Sequence, residues 1–473
     1  MEDLSKLPAG DYYVQAVLTR YDKVTRSDGK TIWVPIKHWT PKNTGRIFPP
    51  MLEGNPYSSV QKIRLDPASD AVVPIRLDKL IGPAEPLQDT EWLKQIRIQS
   101  KILTKFWGTP VYLGATVLLP KGFNENPDAR YPVVYANSHG ERPYSFDTTA
   151  PDPARIEAMR KAARDNGNVQ IGYDFYKTWD SEGFPRFLVA SLYQSTPYFL
   201  EGYSVNSANN GPYGDAIVQE LIPAIEKKFR GIGKPYARIT QGASTGGWEA
   251  LALQLKYPDF FGGAWVFNPD PIDFRRWGLV NIYEDEQAFT TPISPYATAE
   301  IPFRRTVEGK PTATMRQLSR LEALFGSRGR QNYQLGIWEA TYGPVGEDGY
   351  PVPLWDKLTG KIDRNVANYM RENGYDLVDY TRRNWSTLGP KLDGKLVFIA
   401  GEMDNFYLNL GVYGFEDMVK EVAPADYRIR FEYGRPKKGH SHHHVDFSEM
   451  IREMGEHVKA NAPAGENTAA WNY

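Results

Sequence analysis

The 473-residue chain contains no cysteine. That excludes a thiol nucleophile, a thiolate metal site and any disulfide framework. It leaves the compartment open, because proteins of oxidising compartments also do without cysteine. No apolar run reaches the roughly 18 residues that a membrane-spanning helix needs, so no transmembrane helix is expected. A basic surplus is missing too: 56 Lys and Arg stand against 57 Asp and Glu, for a formal net charge of −1. A partner made of nucleic acid or anionic lipid would call for such a surplus, so none is expected. The opening Met1-Glu2-Asp3-Leu4-Ser5-Lys6 has no apolar core of a signal peptide. The expected compartment is the cytoplasm, or the periplasm or exterior if a leader has been removed. Histidine is scarce: His38, His139, His440, His442, His443, His444 and His457 are the seven.

What is abundant is aromatic: 12 Trp and 29 Tyr in a 13% aromatic share. Such rings suit clefts and interfaces, and a large core as well. Residues 1–100 read as a β-rich accessory domain, with strands over Asp11–Leu18 and Val60–Leu65 and no evident chemistry. From about 101 the pattern changes. Apolar strands at Val111–Leu119, Tyr131–Ser138, Phe187–Tyr193, Ala237–Gln241, Phe261–Phe267, Lys395–Ala400 and Arg428–Tyr433 alternate with helical spacing at Gly214–Phe229, Thr245–Lys256, Gly411–Val422 and Phe447–Ala460. That rhythm predicts an α/β fold with a mostly parallel sheet buried on both faces, spanning 101–460, with 461–473 as a tail. The stretch from about 270 to 390 breaks the rhythm. It is polar, aromatic and punctuated by Pro and Gly, with one helical piece at Thr314–Phe325, and reads as an insertion or lid over the site.

The strongest chemical signal is Gly242-Ala243-Ser244-Thr245-Gly246, a G-x-S-x-G turn between a strand and a helix. So tight a turn demands small flanking residues and holds its Ser at a helix N-terminus, where partial positive charge favours developing anions. A Ser hydroxyl needs a base, and in this arrangement the chain order is Ser, acid, His. Asp404, just after the strand at 395–400, is the expected acid, with Glu402 in reserve. His440 is the expected base and His442 its rival. The cluster of His440, His442, His443 and His444 also raises a metal site, but neighbouring side chains diverge in an extended loop and no HExxH helix is present. No metal or cofactor is expected. The oxyanion hole should use the backbone N–H groups of Thr245 and of Glu141, with His139 bracing that loop. Trp248, Asn209 and Asp270 are the expected substrate contacts, although Trp248 could pack beneath the site, Asn209 could sit in a plain loop and Asp270 in a turn.

Tyr131–Gly140 (YPVVYANSHG), Gly242–Trp248 (GASTGGW), Gly401–Asp404 (GEMD) and the pair Gly439-His440 together resemble the putative esterase (esterase D-like) family of the α/β-hydrolase superfamily, over roughly residues 100–460. The resemblance implies an α/β-hydrolase fold, Ser244, Asp404 and His440 as a triad, and cleavage of a small-molecule carboxylic ester through an acyl-enzyme. Acyl transfer from the same intermediate, or a non-catalytic binding protein on the same scaffold, are the alternatives. The aromatic insertion points to a bulky, aromatic or glycosidic ester.

Overall fold

The computed structural model describes residues 6–35, 51–69, 72–83, 87–139, 144–165, 167–199, 201–331, 333–468 and 471. An eight-stranded sheet organises the molecule. Its strands are β1 (Leu93–Gln99), β2 (Tyr112–Leu118), β3 (Val133–Asn137), β4 (Leu188–Tyr193), β5 (Arg238–Ala243), β6 (Gly263–Phe267), β7 (Leu396–Gly401) and β8 (Arg430–Gly434). Across the sheet the order is β1-β2-β4-β3-β5-β6-β7-β8. β1 and β2 pair antiparallel, as do β2 and β4, while every pair from β4 to β8 is parallel. With helices on its flanks, this is the α/β-hydrolase fold that the alternating pattern predicts.

Helices cover both faces, so the inner strands are apolar at nearly every position rather than alternating. All residues of β3, β4, β6 and β7 are buried, whereas the edge strand β8 is only half-buried. The helix α1 (Thr245–Lys256) is buried from Thr245 through Leu255, which explains apolar residues all round it instead of a single stripe. The expected helix over 214–229 forms as Tyr213–Ala216, a π-turn at Ile217–Leu221 and Ile222–Phe229.

The first hundred residues do contain short strands. Gly10–Val14 pairs with Gln61–Leu65, and Asp22–Thr25 with Thr31–Val34. The second hairpin buries Ile32 and Val34, and Trp33 N–H donates to the Tyr350 hydroxyl at 2.8 Å. β1 also lies within this stretch, yet it is an edge strand of the central sheet. At the far end, Trp471 is buried against the ring of Phe187.

The long segment between β6 and β7 carries two hairpins, Thr290–Ser294 with Ala297–Glu300 and Pro302–Arg305 with Pro311–Thr314. It also carries α2 (Met315–Phe325) and α3 (Gln334–Tyr342). Thr314 caps α2 in a reciprocal arrangement with Gln317, which accounts for the start read from the sequence. After β7 come α4 (Asn409–Val422) and, past β8, α5 (Phe447–Ala460).

Beside β7, Phe398 is fully buried between Phe415 of α4 and Phe431 of β8, with centroids 4.8 and 5.1 Å away. Phe398→Ala should therefore lower unfolding free energy by about 3–5 kcal/mol in urea titrations. A loss under about 1 kcal/mol would mean that this layer is not packed as described.

Candidate active site

Ser244 sits between β5 and α1 with φ 58° and ψ −122°, a backbone conformation that L-residues rarely adopt. Such strain costs on the order of 1–3 kcal/mol and persists only where surrounding contacts enforce it. Here they are the Ser244 N–H donating to the Phe267 carbonyl, and the Ser244 carbonyl accepting from Asp270 and Trp248 N–H, all at 3.0–3.1 Å. The glycines are required by space. A Cβ on Gly246 would lie 2.0 Å from the Asn137 carbonyl oxygen, and one on Gly242 would lie 2.3 Å from Gly246 backbone. The strand, the turn and the helix thus pack backbone against backbone at the end of β3.

Asp404 follows β7 and is fully buried. Its Oδ1 accepts from the N–H groups of Phe406 and Leu408 at 2.8 and 3.2 Å, and its Oδ2 lies 2.6 Å from His440 Nδ1. His440 N–H donates to Asn405 Oδ1. The Pro302–Arg305 strand braces this loop: Arg305 Nε donates to the Asp404 carbonyl, and Asn405 Nδ2 donates to the Arg305 carbonyl. Asn268, at φ 39°, ties the ends of β6 and β7 to the histidine loop through Gly401 N–H and the His442 carbonyl.

Burial disfavours a charged His440, but the Asp404 carboxylate outweighs it, with Asp270 assisting. The imidazole is held above the usual histidine range. The other candidates differ. Glu402 accepts from Lys437 N–H and faces Arg435, not a histidine. His442 packs against Gly434, does not line the cavity at Ser244, and is pushed down to about 4 by burial. His443 does line it, but packs tilted against Phe267 and is likewise pushed down to about 4 by burial. His444 pairs with Glu453, and His457 packs on Trp265 near the Gly262 carbonyl.

Ser244, Asp270, His139 and His440 open on one cavity of about 950 Å³. The insertion supplies much of its wall, including Trp277, Phe303, Arg304, Leu318, Tyr333 and Trp338, and Phe406 adds another ring. Sequence reading assigned this insertion to the site only as a block and did not single out these residues. Ser244 Oγ donates to Asp270 Oδ1 at 3.2 Å, and among the described residues no hydrogen bond joins it to His440. Asp270 Oδ2 accepts from Tyr203 Oη at 2.6 Å, Thr245 Oγ1 at 2.8 Å, Gln334 Nε2 at 2.9 Å and Trp338 Nε1 at 3.1 Å. Thr245 Oγ1 also lies 2.8 Å from His139 Nε2, whose Nδ1 meets the buried Glu201. Glu249, buried in α1, is held well above the usual carboxylate range by burial and then by Glu201 and Asp270. Thr245 opens α1, where an N–H has no acceptor within the helix. Glu141 lies outside the described residues.

Two expected substrate contacts are elsewhere. Trp248 is fully buried between Tyr203 and Tyr342 and does not line the cavity. One helical turn past Ser244, its side chain faces the underside of α3 rather than the site. Asn209 is also fully buried, donating to the Gly343 carbonyl at 2.8 Å, and so fastens the end of α3. Asp270 does line the cavity. Its partners Tyr203, Gln334 and Trp338 come from distant segments, and no local pattern announces them.

Sheet order and a serine at a strained strand–helix turn define the class: an α/β-hydrolase fold with Ser244 at the turn between β5 and α1. Residues 112–289 match the model of the family described as "Putative esterase". The chain's sequence motifs had suggested the same resemblance. Among solved structures, a ferulic acid esterase is 16% identical, with 74% of this chain and 91% of that one covered and a TM-score of 0.37. S-formylglutathione hydrolase from Staphylococcus aureus is 13% identical, over 77% and 98%, at 0.35. That from Agrobacterium tumefaciens is 14% identical, over 79% and 96%, at 0.34. Likenesses this distant add no weight to fold or activity. No curated protein matches the chain.

Gly246→Ala should destabilise the protein by about 2–3 kcal/mol or more, because the added methyl must displace backbone. Urea midpoints check this; a wild-type midpoint would contradict the elbow packing.

Proposed function

We propose that this protein is a serine carboxylic-ester hydrolase in which Ser244 is the nucleophile, His440 the base and Asp404 the acid. The observation that carries this reading is the buried Asp404 carboxylate 2.6 Å from His440 Nδ1, with His440 and the strained Ser244 opening on the same cavity. In this reading the Ser244 side chain leaves Asp270 to give its proton to His440 Nε2 across the cavity that both residues line. Catalytic hydrogen bonds are commonly loose before substrate binds.

In the proposed reaction, Ser244 Oγ attacks the ester carbonyl carbon and His440 Nε2 takes the hydroxyl proton. Asp404 fixes the imidazole tautomer and stabilises the imidazolium. The carbonyl oxygen becomes an oxyanion that accepts from the Thr245 N–H and from the Glu141 N–H, each such donor being worth about 3 kcal/mol. Collapse expels the alcohol, which receives the proton from His440. Water, deprotonated by His440, then attacks the acyl-enzyme and releases the acid and free Ser244. The aromatic walls and the cavity's size, at the upper end of the roughly 300–1,000 Å³ usual for small-molecule sites, favour a bulky apolar or aromatic ester.

Ser244→Ala should lower kcat on a model ester by roughly four orders of magnitude or more. Undiminished turnover would remove Ser244 from the mechanism. His440 must be neutral to act, and it is held above the ordinary histidine value of about 6.5. Activity should therefore fall as pH drops through an apparent pKa above that value, read from kcat/KM. Asp404→Asn should move this limb to lower pH and cut kcat by roughly 10³–10⁴. An unmoved limb would argue against the pair.

A further inference from the structure

Resting on the hydrolase reading above, we propose that Asp270 Oδ1 is a substrate subsite that selects acyl groups bearing a hydroxyl or amino group on the α- or β-carbon. Asp270 is almost wholly buried and lines the cavity. Its two oxygens are treated very differently. Four donors, from Tyr203, Thr245, Gln334 and Trp338, converge on Oδ2 and fix the carboxylate. Among the described residues Oδ1 takes only Ser244 Oγ, at 3.2 Å. That is long for a hydroxyl donor, whose usual distance is about 2.7–2.8 Å.

This one partner is lost as soon as the reaction begins. The Ser244 proton goes to His440, and in the acyl-enzyme Oγ has no proton at all. For the whole life of that intermediate Oδ1 would be a buried carboxylate oxygen with no donor among the described residues, which is costly unless a molecule in the cavity supplies one. The tetrahedral intermediates also put negative charge on the carbonyl oxygen, one bond from the carbon that Oγ holds, and so add to the charge around Oδ1. A donor carried by the substrate answers both problems. The leaving alcohol departs in the first step, so only the acyl group can serve throughout. Oδ1 lies 3.2 Å from Oγ in the resting rotamer, and a turn about the single Cα–Cβ bond keeps Oγ near it, so a group that donates to Oδ1 must lie within a few bonds of the carbonyl carbon. The α- and β-carbons are the places that fit.

The test compares methyl propionate with methyl lactate, methyl 3-hydroxypropionate and alanine methyl ester, followed in a pH-stat with wild type, Asp270→Asn and Ser244→Ala. For wild type, at least one donor-bearing ester should exceed methyl propionate in kcat/KM by roughly tenfold or more, as expected when a buried acceptor must be satisfied. In Asp270→Asn this ratio should fall toward one, whatever happens to the absolute rates. A purely structural role would lower all four esters alike and leave the ratio standing. A wild-type ratio near one, which needs no variant to fold, would overturn the proposal, as would a ratio preserved in Asp270→Asn. Hydrolysis that survives in Ser244→Ala would instead overturn the hydrolase reading, and this inference with it.

Discussion

A single close approach governs the site: the backbone of Gly242 and Gly246 against the Asn137 carbonyl at the end of β3. With no Cβ in the way, β5 can turn into α1 within one residue. That residue, Ser244, is forced to positive φ. The turn brings Ser244 to the wall of the cavity, at the start of α1. Without this contact the other members of the site would have nothing to act on. Strain gathers around it: Tyr203, Ser204, Asn268 and Tyr407, all close to the site in the fold, also have positive φ. Such a concentration is what a site held by its surroundings would be expected to carry.

The sheet sets where the partners arrive. β6 and β7 follow β5 in space, so the segment after β6 delivers Asp270 to Ser244, and the segments after β7 and β8 bring Asp404 and His440 together. Two carboxylates therefore arrive by different routes, Asp404 at His440 and Asp270 at Ser244, and their surroundings differ. Asp404 takes backbone N–H groups and the imidazole, whereas Asp270 takes neutral side-chain donors and the serine hydroxyl. The insertion is more than a cover. Arg305 holds the Asp404 loop, and Gln334 and Trp338 of α3 hold Asp270, so the segment between β6 and β7 is part of the site's framework.

Much of this was legible in the sequence because it rests on local pattern. The G-x-S-x-G turn, the start of α1 at Thr245 and the apolar runs of the inner strands follow from short-range sterics and burial on two faces. Asp404 and His440 were legible from chain order and from the ends of late strands. β1 was not, because a short strand pairing antiparallel at the sheet edge looks the same as one in an accessory domain. Trp248 and Asn209 were misread for a related reason. A residue next to the elbow, or in a polar turn, gives no sign of which side it faces until α3 is in place. The network on Asp270 joins segments more than 60 residues apart, a relation that no window along the chain contains.

The central claim is that the hydroxyl at the elbow is an activated nucleophile. Treating the protein with a fluorophosphonate and mapping the adduct by peptide mass spectrometry tests it most directly. The account predicts one covalent phosphonyl group, on the peptide containing Ser244, and no labelling when His440 is replaced by Ala. An unmodified Ser244, or an adduct on another residue, would contradict it.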